Sequence, residues 1–190
     1  MFRSNETRAT MADHLRRIAD LASVLGARAC VFGALGLRDP GETAPPKALE
    51  IARPFFRSIA PHFASRGVSL CIEANPAIYN YRFLTHTQQA LEFVRAVDQD
   101  GITLQFDTGT VFADAESPSL APELVRHIEH VHVSQSNLTP VEEGGFNHEA
   151  IGAALRSSGY RGWISAEMKA TGDWRAAPSN AYAFAHRFYL

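Results

Sequence analysis

Four short apolar runs, each ending at a residue that can bind a metal or carry a proton, constrain this chain more than any other feature. Val68-Ser69-Leu70-Cys71-Ile72 stops at Glu73, and Asn75-Pro76 breaks the chain just beyond. Ile102-Thr103-Leu104-Gln105-Phe106 ends in Asp107-Thr108-Gly109. Ile128-Glu129-His130-Val131-His132-Val133 ends in Ser134-Gln135, and Trp163-Ile164-Ser165-Ala166 ends in Glu167-Met168-Lys169. An apolar run of this length, bounded by turn residues, reads as a buried parallel strand. The C-terminal end of such a strand is where α/β folds place their chemistry. Glu73, Asp107, His132 and Glu167 lie 34, 25 and 35 residues apart, which suits one or two strand-helix units per interval.

The intervening segments supply those helices. Leu15, Ile18, Ala19, Ala22 and Leu25 recur at helical spacing, predicting a helix over 10–25 that Gly26 stops. Ala29-Cys30-Val31-Phe32-Gly33 follows as a strand, and the Gly- and Pro-rich stretch 34–46 as a loop. A helix from Pro46 to about Ser65 contains Pro54 and Pro61, which predict a kink or a break. Residues 74–82 form a second loop. Thr85, with Gln88 at the capping-box position, starts a helix through Val97. A loop over 108–118, a helix over 119–126 and a polar loop over 134–147 come next. Asn147 caps a helix to Ser158, and a last helix covers about 179–189. Strand and helix alternate throughout, which predicts one α/β domain over 1–190 with a parallel sheet.

At 190 residues with 46% hydrophobic and 20% charged residues, the chain can bury a sizeable core. A formal net charge of −2 and the lack of any Lys/Arg-rich run argue against nucleic-acid and anionic-membrane partners. No apolar run approaches the ~20 residues of a membrane span. The first residues lack the apolar stretch of a secretory signal. Cys30 and Cys71 both fall in predicted strands, as small core residues rather than a disulfide pair, and a reducing cytoplasm is the expected compartment.

Glu73, Asp107, His132 and Glu167, if gathered at adjacent strand ends, would repel one another. Two carboxylates ~4 Å apart at an effective dielectric near 20 cost about 4 kcal/mol. A divalent cation relieves this, leaving a net charge near −1, and the mixed oxygen and nitrogen set suits Mn²⁺, Mg²⁺, Co²⁺ or Zn²⁺. Such a site polarises a carbonyl and holds a neighbouring hydroxyl, and a carboxylate beside it can move a proton on the adjacent carbon. Taken singly, an acid at a strand end is often a helix cap or a surface residue. His130 and His132 share one strand face, and His132, nearer the end, is the expected ligand, with His130 hydrogen-bonded behind it. His148 is a helix-start residue or a site residue. Asn75 and Tyr79 would meet a polyol or pack within their own loop. Lys169 would meet an anionic or hydroxyl group, or water.

At these residues the chain resembles the xylose isomerase-like TIM-barrel superfamily. The resemblance rests on Leu70–Pro76, Phe106–Gly109, His130–Ser134 and Gly159–Met168, in the expected order over about residues 10–170. It implies a (β/α) barrel and a metal held by Glu73, Asp107, His132 and Glu167. It further implies that Glu73 and Glu167 exchange a substrate proton through an enediolate, as in a sugar or sugar-phosphate isomerase or epimerase of carbohydrate metabolism. Three positions depart from the family's ketose 3-epimerases. Thr110 stands where a His is frequent, Leu138 where an Arg is, and Gln135 where an acid is common.

Barrels of this type have eight strands and about 250 residues. This chain opens at what resembles the helix after strand two, so about six strands are expected, including a short one near Gly145–His148. A barrel lacking its first strands exposes sheet edges. The chain would then be an N-terminally truncated piece, or a shortened form whose copies cover the gap as a homo-oligomer. Two alternatives to the isomerase follow. One is a non-catalytic barrel remnant; the other is an endonuclease IV-like phosphodiesterase, which needs a basic surface for the DNA backbone.

Overall fold

Ser4 starts the first helix by accepting a hydrogen bond from the Thr7 N–H at 3.1 Å, so α1 (Asn5–Val24) begins five residues earlier than its apolar spacing suggests. The computed structural model describes residues 1–117 and 124–190. They form two compact units, Met1–Leu104 and Gln105–Leu190.

In the first unit, β1 (Ala29–Phe32) pairs in parallel with β2 (Ser69–Glu73), in a register that sets Phe32 opposite Ile72. A one-turn helix, α2 (Leu35–Arg38), interrupts the loop expected over 34–46. Next comes α3 (Pro45–Ser65), which runs without a break through Pro54 and Pro61. Each proline removes one hydrogen bond, but Ala52, Phe55, Phe56, Ile59, Ala60 and Phe63 bury a continuous apolar face that holds the helix together. Phe56 meets Phe32, Phe55 and Phe93 edge to face, the favoured geometry for aromatic pairs. α4 (Thr87–Val97) has His86, not Thr85, at its cap position, and Gln89 rather than Gln88 reaches back to the Thr85 N–H at 2.9 Å. Cys30 and Cys71 are free thiols.

β3 (Ile102–Asp107) begins in the first unit and ends in the second. Strand order follows the chain, β1-β2-β3-β4-β5. In the second unit α5 (Thr108–Ala113) follows β3 without a linker, where a loop was expected. The reason is local: the Asp107 carboxylate caps α5 by accepting from the Thr110 N–H at 2.7 Å. The helix expected over 119–126 lies largely outside the described residues. β4 (Ile128–Val133) pairs in parallel with β5 (Trp163–Ala166), His132 opposite Ser165. No strand forms near Gly145–His148, so the described residues hold five strands rather than six. Single 3-10 turns at Ser136–Leu138 and Val141–Glu143 occupy that loop instead. Asn147 caps α6 (His148–Ser157) as expected, accepting from the Ala150 N–H at 3.0 Å. α7 (Ala177–Tyr189) packs on α6 and on β5. Trp163, Ser165 and Ala166 of β5 are exposed. Among the described residues no helix is long and apolar enough to cross a membrane.

Candidate active site

The strand ends of the second unit bring three of the expected ligands together. His132 Nδ1 lies 3.2 Å from Glu167 Oε2 and 4.0 Å from Asp107 Oδ2. One donor atom from each of the three falls within 4.8 Å of the others. Donors bound to one small divalent ion at about 2.1 Å sit about 3 to 4 Å apart, so the set fits a shared cation with little movement. The hydrogen bond from His132 holds the Glu167 carboxyl below its ordinary value, overcoming the opposing effect of burial.

The backbone and a ring of polar neighbours place these groups. Asp107 uses Oδ1 to cap α5, while Oδ2 accepts from Ser134 Oγ at 2.9 Å. A carboxylate has lone pairs enough for both duties and a cation. Ser134 Oγ also accepts from the Gly109 N–H at 2.9 Å. A Cβ at residue 109 would lie 2.4 Å from that oxygen, so the glycine is what lets Ser134 reach Asp107. Behind His132, the Gln105 carboxamide directs its nitrogen to His130 Nδ1 at 3.0 Å and its oxygen to the His132 N–H at 3.1 Å. His130 Nε2 is then left as the donor to Ser165 Oγ at 2.8 Å. His130 is thus hydrogen-bonded to Gln105 and Ser165, as expected for the histidine farther from the strand end.

Glu73 ends β2 in the first unit and is 8% exposed. Asn75 Nδ2 donates to Glu73 Oε2 at 3.0 Å. A Cβ at residue 33 would come within 2.1 Å of the same oxygen, so Gly33 gives the carboxylate its room. Tyr81 Oη donates to Gly33 O at 2.8 Å and fixes that turn. Tyr79 closes a 3-10 turn, Ala77–Tyr79, and is half-buried.

In the second unit Lys169 is exposed, and its N–H is bonded to Leu138 O at 2.7 Å. His148 opens α6 and is 2% exposed. Gln135 Nε2 donates to His148 Nε2 at 3.0 Å and to Val141 O at 2.8 Å, and His148 Nδ1 pairs with the Tyr189 hydroxyl. Burial lowers the His148 pKa to about 4. The unfolded ring takes up a proton near 6.5 and the folded ring only near 4, so stability falls as pH drops through that window. The loss from this residue is about 3 kcal/mol when complete. Urea unfolding of wild type and His148→Gln from pH 7 to 4 checks it: the difference between the two curves carries the slope.

Compared with known proteins, the model of the family described as xylose isomerase-like TIM barrel matches residues 2–188. The chain belongs to the xylose isomerase-like TIM-barrel family. Its five described strands, each followed by helix, are the strand-helix units of a barrel of that type. No curated protein sequence matches it. Among solved family-type barrels it is similar to D-psicose 3-epimerase with D-tagatose from Clostridium cellulolyticum H10, at 17% identity and TM-score 0.82, covering 98% of this chain and 73% of that one. It is also similar to the IOLI protein with a zinc atom, at 14% identity and TM-score 0.81, covering 98% and 72%. AP endonuclease, family 2 from Brucella melitensis is similar at 19% identity and TM-score 0.79, covering 99% and 71%. At these identities the likeness is one of fold.

Proposed function

We propose that the chain is a divalent-cation-dependent sugar isomerase or epimerase that moves a substrate proton between Glu73 and Glu167 by way of an enediolate. The observation that carries this reading is the convergence of Asp107, His132 and Glu167 on one point at the strand ends. Glu73 is the fourth proposed ligand, by its place at the end of β2 and by the family resemblance. The cation, when bound, supplies the positive charge that makes a carbon beside a carbonyl acidic. The side chains do the rest. Glu73, held by Asn75, and Glu167, held by His132, act as acid and base on opposite sides of the substrate carbon. Asn75 and Tyr79 are the proposed contacts for sugar hydroxyls in the first unit, and Lys169 in the second. His148 contributes through Gln135, whose amide it holds.

The D-psicose 3-epimerase likeness favours a ketose-like substrate. Thr110 and Gln135 are buried and Leu138 is half-buried at the three positions that depart from ketose 3-epimerases, so a free ketohexose is not the expected substrate. A phosphodiester substrate fits less well, because a net charge of −2 offers little to a polyanion.

The test is solvent exchange. Loaded with Mn²⁺ or Co²⁺ in deuterium oxide, the full chain is expected to wash deuterium into a ketose at the carbon beside the carbonyl, read by proton NMR. A chain that binds the cation yet exchanges no ketose or ketose phosphate is a binding barrel, not an isomerase.

A further inference from the structure

One buried, charged side chain of the first unit is left unused by the proposed chemistry. Arg38, the last residue of α2, is 2% exposed. Its guanidinium donates to four backbone carbonyls: Nη1 to Phe32 O at 3.0 Å and Glu73 O at 2.6 Å, Nη2 to Phe83 O at 2.9 Å and Leu84 O at 3.1 Å. Nε has no partner among the described residues. A buried guanidinium that spends no hydrogen bond on a carboxylate is expensive, and an unpaired buried donor adds to the cost. Burial lowers the Arg38 pKa to about 10, and the attraction of Glu73 is the foremost effect opposing that fall. The Tyr81 ring lies against the cation, its centroid 5.5 Å from Cζ.

The four carbonyls are not a random set. They are the last residue of β1, the last residue of β2, and two residues of the loop that leads to α4. Leu84 holds a left-handed backbone, φ 56°, and its carbonyl also accepts from the Asn75 N–H at 3.1 Å. Asn75 in turn donates its side-chain amide to Glu73 Oε2. One cation therefore grips the main chain of Glu73 directly and its carboxylate through Leu84 and Asn75.

We infer that Arg38 is the positioning residue of the Glu73 carboxylate, fixing its direction by clamping the ends of β1 and β2 to the loop over 83–84. A planar fork of donors suits four carbonyls from three segments; the ammonium of lysine, with three donors on one atom, does not. This inference rests on the proposed ligand role of Glu73, and its test separates the two.

Arg38→Lys keeps a cation at the position and Arg38→Met keeps most of the volume, so one variant serves if the other fails to fold. The first measurement is made on cation-free full-length protein. It is the exchange rate of the Asn75 side-chain amide protons by NMR, expected to rise at least ~10-fold as the bond to Glu73 loosens. The second is Mn²⁺ affinity. Arg38→Lys is expected to weaken it by about 10- to 100-fold, as supporting residues around metal ligands do, and to add no further loss in a Glu73→Gln background. A residue that merely held the fold together would cost the same affinity with or without the Glu73 carboxylate. Unchanged Asn75 exchange, or additive losses, overturns the inference. If wild type binds no Mn²⁺, the ligand role of Glu73 fails, and the Asn75 exchange alone decides the matter for Arg38.

Discussion

Glu73→Gln and Glu167→Gln are each expected to lose about a thousandfold or more in sugar interconversion while remaining folded. Glutamine matches glutamate in shape, so packing is little disturbed, but it can neither take a proton nor lend negative charge to a cation. The two residues sit in different surroundings. Glu73 is nearly buried and takes its hydrogen bond from an amide, whereas the Glu167 side chain is 45% exposed and paired with His132. The two losses should therefore differ in kind. With only one base left, a substrate proton can still be removed and returned on that base's own side. Each variant should then wash solvent deuterium into one epimer without converting it to the other, and the favoured epimer should reverse between the two variants. Proton NMR of the sugar after incubation in deuterium oxide reads both quantities. Wild-type turnover in both variants would remove the proposed proton transfers altogether.

The strands and their terminal residues were legible because burial writes itself plainly into sequence. Leu70, Cys71 and Ile72 are buried without interruption, and the apolar run stops at the carboxylate of Glu73. His132 was separable from His130 by the two-residue period of a strand, which places both on one face but only one at the end. The misjudged elements share a different cause. Pro54 and Pro61 each oppose a helix locally, and only the apolar face of α3, satisfied by tertiary packing, overrides them. α5 is hard to read because its start signal, Asp107, is also the end of a strand and is followed by Thr108-Gly109, which reads as a turn; one carboxylate serves as both strand end and helix cap. Arg38 was invisible for a stronger reason. Nothing in Leu35-Gly36-Leu37-Arg38 distinguishes it from a solvated arginine, and its four acceptors come from residues up to 46 positions away. Long-range side-chain to main-chain bonds have no periodicity to detect.

His132→Ala is expected to lower Mn²⁺ affinity by more than ~100-fold, the upper range for residues that only support a ligand. His130→Ala, which removes the partner of Ser165 and Gln105, should stay within that supporting range. The order of the two effects is the decisive quantity. Both histidines lie on one face of β4, with ring centroids 5.0 Å apart, so either could reach a cation by a modest rotation. His132 has carboxylate oxygens of Asp107 and Glu167 beside its Nδ1. Thermal unfolding gives an independent readout, since a ligand at 100 times its dissociation constant adds about 2.7 kcal/mol to the stability of the folded state. Wild type and His130→Ala should both gain stability as Mn²⁺ is added, at different concentrations, and a chelator should reverse the gain. His132→Ala should show no gain in the same range. The opposite order, with His130→Ala the more damaging, would move the ligand two residues back along β4 and require Gln105, rather than Asp107 and Glu167, to face the ion.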